Sequence, residues 1–129
     1  MEIPQQMSEQ YQKAKEIIEN SEDIKIYSHI DCDGICSGAI LSTILDRQNK
    51  EHDIEFVNLD VLDDIDLDHE LTIFSDLGSG QRIDTKAREG QKIIILDHHP
   101  PLRDPDYKDD KDYTYLEINP IHHGIDGSY

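Results

Sequence analysis

Between Lys92 and Asp97 the chain reads Ile-Ile-Ile-Leu, an apolar run with no polar residue to turn toward water. A strand with one wet face alternates polar and apolar residues. A run without alternation needs both faces covered, as in the middle of a parallel sheet with structure on either side. The rest of the sequence agrees with that frame. Met7, Tyr11, Ala14 and Ile18 share one face of a helix expected over Gln5 to Asn20. Ile24 to His29 reads as a strand and Asp31-Cys-Asp-Gly34 as a turn. A second helix is expected over Ile35 to Arg47, its apolar recurrence carried by Cys36, Ala39, Ile40, Thr43 and Ile44. Ile54 to Leu59 and Leu71 to Ser75 have strand character. Ser79 is placed to cap a short helix through Ala87, with Lys86 and Arg88 in its last turn and Gly90 as its stop. Pro100, Pro101 and Pro105 mark a loop over residues 100–112, and a last strand runs from Tyr113 to Ile118, before Asn119-Pro120. There is no internal repeat, heptad or low-complexity tract. The pattern predicts an α/β domain with a mostly parallel sheet flanked by helices and joined by right-handed crossovers.

Composition narrows the functional classes. At 129 residues the chain is one domain's worth, and mean hydropathy of −0.68 excludes a membrane span. Its first residues carry no secretory pattern, so a cytoplasmic location is expected. Cys32 and Cys36 are too few and too close for a disulfide framework, and no second thiol pair completes a soft-metal site. They are expected as small, reduced, buried thiols. With 29 acidic against 12 basic residues the net charge is −17, which by itself opposes a nucleic-acid partner. Nine of the acidic residues fall between 51 and 70 without a Lys or Arg, as on a solvated loop or a salt-adapted surface. His52 and His69, in these acidic surroundings, are expected at the surface.

The polar residues that remain are ordered by position. His29, Asp31 and Asp33 follow the first strand, Asp76 follows the third, and Asp97-His98-His99 follows the apolar run. All lie at strand carboxyl ends, where open α/β sheets bind ligands. A set of carboxylates and imidazoles suits hard divalent ions. Two such ions about 3.5 to 4 Å apart relieve the carboxylate repulsion, activate a water and neutralise a phosphoryl group, which makes phosphoester hydrolysis the natural reaction. Asp-X-Asp-Gly alone reads as a turn, and Asp76 equally as a polar strand end. Asp-His-His is harder to dismiss, since three adjacent polar residues at a buried strand end need partners. His122 and His123 sit among turn formers, where a plain loop and a phosphate contact are equally open readings.

The segments His29-Ile-Asp-Cys-Asp-Gly-Ile-Cys-Ser37, Ser75-Asp-Leu-Gly-Ser79 and Asp97-His-His99 together resemble the DHH phosphoesterases. Asn119-Pro120 and His123-Gly-Ile-Asp-Gly-Ser128 are most similar to the archaeal branch of RecJ-like single-strand exonucleases. The resemblance covers residues 22–129, leaving 1–21 as an N-terminal helix. It implies a Rossmann-like domain with a dinuclear Mn2+ or Mg2+ centre held by Asp31, Asp33, Asp76 and His98, with Asp76 bridging and His29 a further ligand candidate. His99 would face the scissile phosphate, Asp97 would support the histidines, and His123 and Gly124 would contact substrate. Single-stranded DNA or RNA would be the substrate and replisome proteins the partners. Members carry a further ligand aspartate, a glycine-rich segment and a substrate domain downstream. The chain is therefore expected to be the N-terminal part of such an enzyme and inactive alone. Two ions would bring its charge only from −17 to −13. Rival readings keep the site but change the substrate to small nucleotides, oligonucleotides or pyrophosphate, or make the chain a non-catalytic replication scaffold.

Overall fold

The structure is a computed structural model that describes residues 4–103 and 112–125. Most of the expected loop over 100–112 and the end of the glycine-rich tail lie outside the described residues. Five strands, β1 (Ile24–His29), β2 (His52–Val57), β3 (Leu71–Ser75), β4 (Lys92–Leu96) and β5 (Thr114–Ile118), form one sheet in the order β2-β1-β3-β4-β5, every pair parallel. The apolar run behaves as its composition demands. Ile93 and Ile95 pack into one core with Tyr27, Phe74 and Leu77, while Ile94 packs into the other with Ile26, Ile73 and Leu116. Each of the three isoleucines is fully buried.

Two helices, α1 (Gln5–Glu19) and α2 (Cys32–Arg47), cover the Ile94 face through Met7, Ala14, Leu41 and Leu45. The opposite face is covered by Leu62, Leu67 and Ile83 from 3-10 turns and the segments beside them. Among the described residues no helix is long and apolar enough to cross a membrane.

Four local expectations change. Helix α2 begins at Cys32 rather than Ile35, because Asp31 is extended and its side chain accepts a hydrogen bond from the Gly34 N–H, the work of an N-cap. Asp-Cys-Asp-Gly is thus the start of the helix and not a separate turn. The face of α2 toward the sheet is marked by Gly34, Gly38 and Leu45, and Cys36, Ala39, Ile40, Thr43 and Ile44 are exposed. Both cysteines are free and exposed as well. The reason is proximity: a Cβ on Gly34 would lie 1.8 Å from the His29 carbonyl oxygen, and one on Gly38 2.9 Å from Phe56, so the helix approaches the sheet on a stripe without side chains.

No helix runs from Ser79 to Ala87. That segment contains a single 3-10 turn at Ile83–Lys86, and Ser79 is fully buried instead of capping. Finally, β2 begins at His52, paired with Ile24 across the edge of the sheet. The His52 side chain is only 5% exposed, with Nε2 2.6 Å from Ser42 Oγ and Nδ1 2.9 Å from the Lys50 carbonyl. It is a packed, hydrogen-bonded residue and not a surface one. His69 is partly exposed, paired through Nδ1 with Asp23 at 2.8 Å.

Candidate metal centre

After β1 the chain goes outward to β2 and then returns past β1 to β3, so the strand order reverses between β1 and β3. Ligand crevices form outside the carboxyl ends of strands at such a switch point. His29 and Asp31 end β1 there, Asp76 ends β3, and Asp97-His98-His99 ends β4 beside it.

Asp76 is the pivot. It is 6% exposed and takes a left-handed backbone with φ of 60°, which Asp and Asn tolerate better than most residues. Its N–H donates to the Leu96 carbonyl at 2.8 Å, fixing it to β4. One carboxylate oxygen lies 2.8 Å from His98 Nε2. The other has no hydrogen-bond partner and lies 3.7 Å from His29 Nδ1. Asp31 Oδ2 is 2.9 Å from the same His29 nitrogen. Two groups of ligand-bearing side chains result, His29/Asp31/Asp76 and Asp76/Asp97/His98/His99, with the ligand atoms of each within 4.8 Å of one another and Asp76 common to both.

The electrostatics match this arrangement. Burial pushes the Asp76 carboxyl above its ordinary range, with His98 opposing and Asp31 adding to the rise. The Gly34 N–H holds Asp31 below its ordinary range. Two carboxyls are thereby pushed in opposite directions by burial and capping. A carboxylate oxygen without a hydrogen-bond partner, facing an imidazole nitrogen that a second carboxylate approaches to 2.9 Å, is an arrangement a hard divalent cation completes.

Asp97 is differently engaged. Oδ1 accepts from the N–H groups of His98 and His99, at 2.8 and 3.3 Å, and lies 2.6 Å from His99 Nδ1. Oδ2 accepts from the Ser79 N–H at 3.1 Å. Both Asp97 oxygens are occupied in holding the strand end and the His99 ring. In the tautomer that directs Nδ1–H to Asp97, His99 Nε2 is left as an acceptor.

Beneath these residues lies a buried network that sequence reasoning did not assign. Ser79 Oγ donates to Glu117 at 2.7 Å and accepts from Asn119, whose amide also donates to the His99 carbonyl at 2.8 Å. Tyr115 donates to the other Glu117 oxygen at 2.8 Å, and burial pushes its phenol upward. Arg103, 8% exposed, donates to Tyr115 and to the Gln81 and Gly78 carbonyls. The available signal was Glu117 itself, a lone charge inside an otherwise apolar strand. Replacing Ser79 with Ala would leave Glu117 and Asn119 each short of a partner. Urea denaturation is expected to report a loss of about 1–3 kcal/mol, and an unchanged midpoint would refute the network's role.

A cleft of about 570 Å3 opens beside Asp76, Asp97 and His98, lined also by Asp33, Ser37 and Ser75. Asp33 borders it but belongs to neither ligand group. His123 and Gly124, expected to meet substrate, do not line it. His123 Nε2 is 3.0 Å from Gln10 of α1, and Gly124, in the left-handed conformation, closes the 3-10 turn Pro120–His123.

Residues 23–123 match the DHH family, N-terminal domain. The uncharacterized protein MJ0831 of Methanocaldococcus jannaschii is 35% identical over 112 residues, which cover 81% of this chain and 25% of that protein. The crystal structure of RecJ in complex with Mn2+ from Thermus thermophilus superposes with a TM-score of 0.66 at 18% identity, over 92% of this chain and 18% of that one. The chain thus spans about a quarter or less of the length of these relatives, and its fold is that of the RecJ domain it overlays.

Proposed function

Since this chain belongs to the DHH family, we propose that it is the metal-binding part of a divalent-metal phosphodiesterase that hydrolyses single-stranded DNA or RNA from an end. The observation that carries the reading is Asp76, shared by two ligand groups, its free oxygen set 3.7 Å from the His29 nitrogen that Asp31 also approaches. The Mn2+ bound by the RecJ of similar fold supports Mn2+ or Mg2+ as the ion. Asp31, Asp76, His29 and His98 hold two ions, with Asp33 as the additional carboxylate at the cleft. Ions there would supply Lewis-acid activation of a water and charge neutralisation at phosphorus. Asp97 fixes the His99 ring, and His99 Nε2 stabilises charge or moves a proton at the leaving oxygen.

A second reading, small nucleotides or short oligonucleotides as substrate, is favoured by one observation: among the described residues no Lys or Arg lines the cleft, and the chain carries −17.

Calorimetric titration of Mn2+ into the EDTA-treated chain is expected to saturate near two ions. The absence of a site would overturn the enzyme reading in favour of a scaffold. Nucleotide release by the natural gene product from a labelled single-stranded oligonucleotide, compared with a dinucleotide, separates the two substrates. Preference for the dinucleotide would refute the long-strand reading.

A further inference from the structure

The cleft beside the metal groups has a lining of two unlike kinds. Asp33, Ser37, Ser75, Asp76 and His98 are polar, whereas Tyr11 of α1, Ile40 and Leu41 of α2 and Ile118 offer apolar surface. Tyr11 is 43% exposed and Ile40 61% exposed, although both line a concave site. Among the described residues no Lys or Arg lines the cleft, so a phosphate is drawn to the ligand groups at Asp76 and His98. Whatever is covalently joined to that phosphate then meets the apolar lining, where Tyr11 and Ile40 are exposed. The volume, about 570 Å3, is within the usual range for a small-molecule site.

We infer that this apolar lining is a nucleobase subsite, in which the base next to the reacting phosphate stacks on Tyr11 and rests against Ile40. This rests on the phosphodiesterase reading and names the part of the substrate that the chain itself recognises. An aromatic face accepts any base, so the subsite favours nucleotides over base-free phosphoesters without selecting a sequence. The helix that carries Tyr11 lies before the family-matched residues 23–123.

The helix is fixed where the subsite needs it. Gln10, the neighbour of Tyr11, donates from Nε2 to the Glu117 carbonyl at 3.2 Å and meets His123 Nε2 through Oε1 at 3.0 Å. His123 thereby serves the substrate end indirectly, as an anchor for α1.

The test is an NMR titration of the chain with dAMP, adenosine and ribose 5-phosphate, using Mg2+ in place of paramagnetic Mn2+. The Tyr11 ring and Ile40 methyl resonances are expected to shift with dAMP and, more weakly, with adenosine, and to stay in place with ribose 5-phosphate. Tyr11→Ala should weaken dAMP binding by about tenfold, leave ribose 5-phosphate unchanged and retain the parent's melting temperature. Tyr11→Phe should bind within about twofold of the parent, since it keeps the stacking face. Equal dAMP affinity in Tyr11→Ala would overturn the subsite. So would a Tyr11 ring that no base-bearing probe reaches, the result expected if another segment of chain covers the cleft. Shifts at Tyr11 in a protein that hydrolyses no phosphodiester would refute the proposed function and leave the subsite standing.

Discussion

Asp76→Asn is expected to remove Mn2+ binding and, in the metal-free chain, to raise the melting temperature. Loss of a residue behind a metal ligand already weakens affinity by about 10–100-fold, and Asp76 belongs to both ligand groups, so the loss here should exceed about a hundredfold. Asparagine suits the left-handed backbone at this position and can still accept from His98. The stability gain follows from the direction of the Asp76 shift. Its carboxyl is pushed up in the folded chain, so the charged form costs stability at neutral pH, and the cost fades as pH falls through the raised folded value. The variant carries no such cost. The difference between variant and parent, measured in EDTA, should be largest at neutral pH and disappear toward about pH 4, the ordinary carboxyl range. A rise of about 3 °C corresponds to ~1 kcal/mol in a domain of this size. With saturating Mn2+ the order reverses, because only the parent gains binding energy. A variant that binds Mn2+ like the parent, or melts lower than the parent without metal, would refute the central place given to Asp76.

Much of this site was readable in the sequence because strand ends are readable. The apolar run Ile93–Leu96 demanded a buried parallel strand, and Ile24–His29 and Leu71–Ser75 fell into place beside it. Once the strands were in order, His29, Asp76 and Asp97 had to lie along one edge. What stayed hidden depended on tertiary approach. The apolar positions of α2 at Cys36, Ile40 and Ile44 have a good helical period, yet the packed face is the one bearing Gly34 and Gly38. A pattern of side-chain hydrophobicity cannot register a face chosen because it lacks side chains. Ser79 and Asn119 were hidden for a related reason. Each has strong local uses, as a cap or a turn residue. Ser79 gives its hydroxyl to Glu117, 38 residues away, and Asn119, while its oxygen caps the turn at Ile121, gives its amide to the His99 carbonyl 20 residues away.

The largest loss of stability from a single added methyl group should come from Gly34→Ala. Helix propensity favours alanine by about 1 kcal/mol in a helix interior, and on that ground alone the variant would be more stable. The added Cβ, however, would lie 1.8 Å from the His29 carbonyl oxygen, 2.5 Å from its carbon and 2.8 Å from its Cα. All three are backbone atoms of β1, which cannot rotate aside as a side chain would. The first turn of α2 or the end of β1 must move, and either motion strains the Ser28 Oγ bond to the Gly34 carbonyl and the Asp31 cap on the Gly34 N–H. A cost above about 4 kcal/mol is expected, most of the ~5–15 kcal/mol that holds a typical domain. Gly38→Ala meets chiefly the Phe56 ring at 2.9 Å and Ser28 at 3.0 Å, groups able to yield in part, and should cost about 1–3 kcal/mol. Gly80→Ala, with its nearest neighbour at 3.7 Å and no left-handed backbone, should be nearly neutral. Urea unfolding of the three variants tests the ranking, and Gly34→Ala within about 1 kcal/mol of the parent would refute it. The metal centre depends on the same contact, because the approach that leaves no room for a methyl group on Gly34 is what brings Asp31 to within 2.9 Å of His29. Any Gly34→Ala chain that still folds should therefore bind Mn2+ more weakly than Gly38→Ala does.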